Sequence, residues 1–241
     1  MSAINVSFLD TEAELPAALW EACFPPPLEG RWWYRALEGS GLEDQFAFRY
    51  ALLREGGRDV GIAPVFRMDV PLDIVLPPAL LPVFRVLGRV FPALRHQRTL
   101  FVGSPCADEG TVGLLPGVDR GAALLALADA LEDEARRQRA AILVWKDFPE
   151  ADAAAMRRLA ERTGLFPMVS YPGAVADLPR GGREDFLATM KGSRRHQLRK
   201  KLRLSAERVA VRFEAVQHPE AGLLDEIFGL FWQTYEHSET K

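Results

Sequence analysis

Apolar and polar positions change rhythm several times along the chain, and each change predicts an element. Residues 4–9 alternate closely enough for a first strand. Residues 14–23 have helical spacing and stop at Pro25-Pro26-Pro27, and residues 31–38 form a second short helix closed by Gly39-Ser40-Gly41. Two apolar-rich runs, 46–54 and 60–68, flank Glu55-Gly56-Gly57-Arg58-Asp59, which predicts an antiparallel hairpin. Residues 99–102 form a short strand that opens into the loop Gly103-Ser104-Pro105-Cys106-Ala107-Asp108. Asp119 is placed to cap a long helix ending near Gln138, with Ala123, Leu127, Ala130/Leu131 and Ala135 on a 3.6-residue period. Residues 141–145 predict a buried strand, residues 151–162 a helix ended by Gly164, and residues 168–177 another strand. Residues 183–190 then start a helix that Gly192-Ser193 interrupts. Ser193 caps a basic helix over 193–206, and an alternating strand over 209–216 and a helix over 219–239 follow.

Strands alternating with helices after one early hairpin predict an α/β domain with a mixed sheet rather than an all-parallel one. No Gly-rich phosphate loop follows a strand, which disfavours a doubly wound nucleotide fold. The most apolar stretch, residues 70–94, holds five prolines with Asp73, Arg85 and Arg89, and is too interrupted to span a membrane. Its residues 79–91 could form a helix apolar nearly all round, either buried against the core or forming a lip for a lipid surface or an acyl chain. The N-terminus has neither the basic nor the apolar region of a signal peptide. The two cysteines, Cys23 and Cys106, form no disulfide framework and no metal spacing, so the expected setting is reducing and cytoplasmic, with no metal.

Charge sharpens this picture. Residues 186–206 carry seven cations (Lys191, Arg194, Arg195, Arg199, Lys200, Lys201 and Arg203) and no acid, while the other 220 residues sum to −10. An acidic protein that concentrates its cations in one helix implies a polyanionic partner. On a helical wheel only Leu198 and Leu202 form an apolar docking stripe. Like charges at i, i+4, such as Arg195 and Arg199, repel unless something compensates. The other candidates are less specific. His96, His196, His218 and His237 lack metal-ligand spacing, and His196 suits a surface position or a weak general base. Cys106 has no identifiable base, and Ser104 lacks a nucleophile elbow. Of Trp32-Trp33-Tyr34, two rings are expected in the core and one must face outward.

The run ADLPRGGREDFLATMKGSRRHQLRKKLR from Ala176, followed by the alternating segment and GLLDEIFGLFWQTYEHSETK, resembles the peptidoglycan-bridge aminoacyltransferases (FemAB-like) and their relatives within the GNAT-like acyl-CoA N-acyltransferase superfamily. The shared pattern is Asp177-Leu178, a short helix over 186–190, a Ser193-led basic helix with Leu198-Arg199-Lys200, and an aromatic helix with Phe231-Trp232 and Tyr235-Glu236. Leu37-Glu38-Gly39-Ser40-Gly41 matches the family's early helix end. The resemblance implies a GNAT-like lobe over 1–178 and the opening of a second lobe over 179–241, the chain ending just inside it. It implies transfer of an acyl or aminoacyl group, from acyl-CoA or aminoacyl-tRNA as co-substrate, to an amine of a small molecule or cell-wall precursor. It makes Lys191, Arg194, Arg195, Arg199 and Lys200 the residues that grip phosphates, and it carries over no obligatory catalytic residue. The superfamily's pyrophosphate-cradling loop is missing. Two other readings stay open: a non-catalytic module that binds RNA, DNA or phosphate through the basic helix 193–206, and an inactive GNAT-like scaffold. An aromatic face on the last helix predicts exposed Phe231 and Trp232, covered by a further lobe or a second subunit.

Overall fold

A computed structural model describes residues 3–26, 28–42, 44–71, 82, 95–107, 109–168 and 176–237. The apolar helix expected over 79–91 lies outside the described residues. The chain divides into two compact units, Met1–Pro172 and Gly173–Lys241.

The first unit is an α/β layer structure built on one mixed sheet. In chain order it comprises β1 (Ile4–Leu9), α1 (Ala17–Cys23), α2 (Arg31–Glu38), β2 (Phe46–Glu55), β3 (Arg58–Pro71), β4 (His96–Val102), β5 (Gly113–Leu114), α3 (Arg120–Gln138), β6 (Ile142–Trp145) and α4 (Ala153–Thr163). The strands lie in the order β1-β2-β3-β4-β6, with β5 also on β3. Every pairing is antiparallel except β4 with β6, which runs parallel from Thr99↔Ile142 to Val102↔Trp145. A parallel pair needs a crossover, and α3 supplies it.

Alternation along the hairpin sends side chains to two cores. Ala51, Leu53, Ala63 and Val65, with Leu100 and Val102 of β4, meet Ala123, Leu124, Leu127 and Leu131 of α3 on one face. Tyr50, Leu52 and Ile62 meet Leu19, Trp20 and Cys23 of α1 and Tyr34 and Leu37 of α2 on the other. Helix α3 follows its sequence pattern closely. The Asp119 side chain accepts the Ala122 N–H at 3.1 Å, and a stripe of small and leucine side chains faces the sheet.

Three expectations need correcting here. Helix α1 starts at Ala17 rather than residue 14, because Pro16 precedes it and Glu12–Glu14 form a separate 3₁₀ turn with a Thr11/Glu14 capping box. Strand β6 is only partly buried, with Ile142 at 46% exposure, because it ends the strand order among the described residues. The strand expected over 168–177 lies, apart from Met168 and Ala176–Asp177, outside the described residues. The remaining correction concerns the second unit.

That unit contains α5 (Arg183–Thr189), α6 (Gly192–Arg208) and α7 (Ala221–Glu236). Residues 209–216, expected to form a strand, are paired with no other segment among the described residues, and Phe213 is 94% exposed. Their alternation marks an apolar face, but an isolated extended segment has no neighbour to share its hydrogen bonds with. Helix α7 has no buried residue. Phe231 and Trp232 are 59% and 48% exposed, beside Leu224, Ile227, Phe228 and Leu230 on a broad apolar arc. No helix among the described residues is long and apolar enough to cross a membrane.

Candidate functional site: the basic helix and two polar clusters

All five expected anion-binding residues lie within three turns at the start of α6. Lys191 is the N-cap, Arg194 and Arg195 are in the first turn, and Arg199 and Lys200 follow one turn later. Ser193 is not the cap, because the helix begins at Gly192. The Lys191 cap position carries no side-chain hydrogen bond, which leaves the first N–H groups of α6 uncapped by any side chain. Nearly every cation is exposed, with only Arg195 half-buried.

Three cations are engaged. The Arg195 Nη1 donates to the Ala188 carbonyl at 3.4 Å, and Arg199 Nη2 pairs with Glu184 Oε2 at 2.6 Å. Glu184 lies on α5, just outside the stretch counted as free of acids, so part of the repulsion is relieved from there. Arg203 approaches Glu207 at 3.9 Å. The side chains of Lys191, Arg194, Lys200 and Lys201 make no hydrogen bond or ion pair with a described residue, so four cations of the helix still face water.

The first unit holds polar clusters that the sequence pattern does not single out. Glu12 is 3% exposed and pairs with both Arg31 and Arg35, the latter at 2.9 Å. Burial alone would raise its carboxyl pKa, but hydrogen bonds from Arg35 and Arg31 outweigh burial and hold it below the ordinary value of 4.5. Glu38 closes the same corner. It accepts the Thr11 hydroxyl at 2.7 Å, the Glu12 N–H at 2.8 Å and the Tyr50 hydroxyl at 2.5 Å. Burial, and next the bond to Glu38, push the Tyr50 phenol well above its ordinary pKa. The available sequence signal was the Arg31/Arg35 pair at i, i+4 on α2, which needs an acid to face it.

These groups hold α2 onto the Thr11–Glu14 turn. A depressed folded-state pKa means that Glu12 contributes fully above pH 4.5, and the contribution disappears as pH falls through the folded value. Glu12→Gln should therefore reduce stability near neutral pH by about 3 kcal/mol, since it leaves the arginines without their charge partner. It should also flatten the acid limb of the stability–pH curve, which urea titrations at pH 3 to 7 would show.

A third cluster lies beyond the end of β4. Ser104 is 2% exposed, and its hydroxyl accepts from Trp33 Nε1 at 3.1 Å. Ser104 is thus a buried strut between β4 and α2 rather than a nucleophile. Trp32, 65% exposed, is the outward ring of its trio. Cys106 is exposed and Cys23 buried, and burial raises the Cys23 thiol to about 11, so it stays protonated at neutral pH.

A groove of about 420 Å³ opens beside Asp10, Glu38, Phe46, Phe48 and Arg49. Its charges are already satisfied: Asp10 pairs with Arg49, which also lies 3.5 Å from Glu134, and Glu38 has its three donors. No group of three or more His, Cys, Asp or Glu among the described residues could hold a metal.

No family model and no curated protein matches the chain. Among solved structures the chain is similar to a ribosomal-protein-alanine N-acetyltransferase from Brucella melitensis biovar Abortus 2308. The identity is 17%, with 73% of this chain and 99% of that one covered and a TM-score of 0.39. It is also similar to the aminoglycoside N-acetyltransferase AAC(6')-Iy in complex with CoA, at 12% identity, 75% and 97% coverage and a TM-score of 0.42. A third is an aminoglycoside acetyltransferase from an uncultured soil metagenomic sample, at 14% identity, 72% and 99% coverage and a TM-score of 0.41.

Proposed function

We propose that the chain belongs to an N-acyltransferase that moves an acyl or aminoacyl group from a phosphate-bearing donor, acyl-CoA or aminoacyl-tRNA, to an amine of a small molecule or cell-wall precursor. The observation that carries this reading is α6, where Lys191, Arg194, Lys200 and Lys201 face water without an acid partner among the described residues. Cations left unpaired on a helix of an otherwise acidic protein suit a ligand rich in phosphate. The resemblance of residues 176–236 to the peptidoglycan-bridge aminoacyltransferases, and a mixed sheet with one parallel pair, support the acyl-transfer half of the reading.

In such a transfer the amine nitrogen attacks the donor's carbonyl carbon, and the thiol or ribose oxygen leaves as the amine loses its proton. No side chain needs to form a covalent bond. The contribution of α6 is to hold and orient the phosphates, and holding the reactants in register supplies much of the acceleration. We further propose that the exposed α7 face is covered by a further lobe or a second subunit in the working protein.

Arg194→Ala combined with Lys200→Ala removes two unpaired cations and no apolar contact. Isothermal titration with CoA should show affinity weakened by about 2–4 kcal/mol, at about 1–2 kcal/mol for each charge-assisted contact, with the melting curve unchanged. The loss should shrink as salt rises. CoA affinity equal to that of the unaltered chain would remove α6 from the donor site. The nucleic-acid reading predicts a different pattern: tight, salt-sensitive binding to any RNA duplex and no preference for a donor.

A further inference from the structure

In an open α/β sheet the usual place for a phosphate is the crevice at the carboxyl ends of parallel strands, facing the N-terminus of the helix that follows. Here that place is the end of β4 and β6 with the start of α3. A donor such as acyl-CoA needs two things of it: a gap between the strand ends, and free N–H groups or cations at the helix start.

The gap is absent, and the helix start is only partly free. The ladder continues past the last strand pair, with the Lys146 N–H donating to the Val102 carbonyl at 3.1 Å. Beyond it the two loops bind each other. The Gly110 N–H donates to the Asp147 carbonyl at 2.9 Å, and Lys146 Nζ reaches back to the Ala107 carbonyl at 3.2 Å and to Asp147 Oδ2 at 2.5 Å. The loops touch so closely that a Cβ on Gly110 would lie 1.8 Å from the Lys146 carbonyl oxygen, and one on Gly103 would lie 3.6 Å from both Gly110 Cα and that oxygen. Asp147 adopts a left-handed φ of 52° in making this joint.

The start of α3 is occupied in part, with the Arg120 and Gly121 N–H groups left without an acceptor among the described residues. Its third N–H, that of Ala122, is already taken by the Asp119 carboxylate, and a second anion there would face that negative charge. Arg120 has three of its five N–H donors engaged within the fold. Its Nε and Nη2 grip Asp152, and its Nη1 donates to the Val112 carbonyl at 3.1 Å.

We infer that the first unit's strand-end crevice is a sealed structural joint that takes no phosphate, so that the donor's phosphates are held by the second unit's cations, Lys191, Arg194, Arg195 and Lys200. The second half rests on the function proposed above, and the first half stands without it. The lysine in the joint, Lys146, serves a fold contact, and Asp119 acts as a standing substitute for an anion.

Hydrogen–deuterium exchange on the full chain, with and without saturating CoA and separately with inorganic diphosphate, tests both halves. The expected result is slowed exchange in peptides covering 191–203 and unchanged exchange in peptides covering 103–124 and 142–150. Slowed exchange in 103–124 with either probe would overturn the sealed joint. If neither region changes, the joint stands and the donor reading of α6 fails. In the free protein, the Lys146 and Gly110 amides should exchange more slowly than the uncapped first-turn amides of α6; equal rates would also count against a sealed joint.

Discussion

Alanine at Gly110 should lower the thermal midpoint by roughly 6–12 °C, the equivalent of about 3 kcal/mol in a chain of this size. A Cβ there meets the Lys146 carbonyl oxygen at 1.8 Å, and the obstacle is backbone rather than the end of a mobile side chain. Relief requires the two loops to part, breaking the Gly110–Asp147 hydrogen bond and weakening the Lys146 contact to Ala107. Gly117→Ala is the control. Gly117 has a left-handed φ of 86° and open space around it, so only backbone strain of about 1 kcal/mol should appear. Thermal melts followed by circular dichroism compare the two. A Gly110 variant no worse than the Gly117 variant would mean that the loops are not locked together.

Trp20→Ala should cost more still, about 3–5 kcal/mol. Trp20 is 1% exposed at the centre of an aromatic group, with ring centroids 5.1 Å from Phe24, 5.1 Å from Tyr34 and 5.8 Å from Tyr50. Its removal leaves a cavity between α1, α2 and the sheet and loosens the Tyr50 ring whose hydroxyl holds Glu38. Trp20→Phe should recover more than half of the loss, because most of the packing area returns while only the 3.4 Å bond from Trp20 Nε1 to the Glu12 carbonyl is given up. Urea unfolding of the three proteins measures this. Equal destabilisation by alanine and phenylalanine would shift the weight from packing to that bond.

Much of the first unit is legible in its sequence, because its elements carry two independent signals each. Strands β2 and β3 combine apolar-rich runs with a Gly-Gly turn, and α3 combines a 3.6-residue stripe with an aspartate in the cap position. Strand β4 shows where a single signal falls short. Its apolar part starts at Thr99, yet the strand begins at His96, because Arg98 lies across from Asp69 on β3 and pairs with it at 3.0 Å. Residues 209–216 err in the opposite direction: alternation records which face is apolar and says nothing about whether a neighbour exists. The cations of α6 are visible as plain charge. The Glu12, Arg31, Arg35 and Glu38 corner is not, since its members meet only after α2 folds back onto the first turn. The sealed joint is hidden for a similar reason. It consists mostly of backbone groups, and only Gly110 leaves a trace of it in the side-chain sequence.

Helices α6 and α7 have no buried residue. Helices of 17 and 16 residues are close to the length at which a lone helix is marginal in water. A lobe or subunit that closed over them would therefore order them as well as touch them. Part of the contact free energy, on the order of 2–5 kcal/mol for coupled folding, goes into that ordering. The calorimetric signature is a large favourable enthalpy offset by unfavourable entropy. If a protein surface covers the aromatic arc of α7, the heat capacity should also fall sharply. A small phosphate ligand on α6 alone should leave heat capacity nearly unchanged, so one temperature series separates engagement of the cations from engagement of the rings.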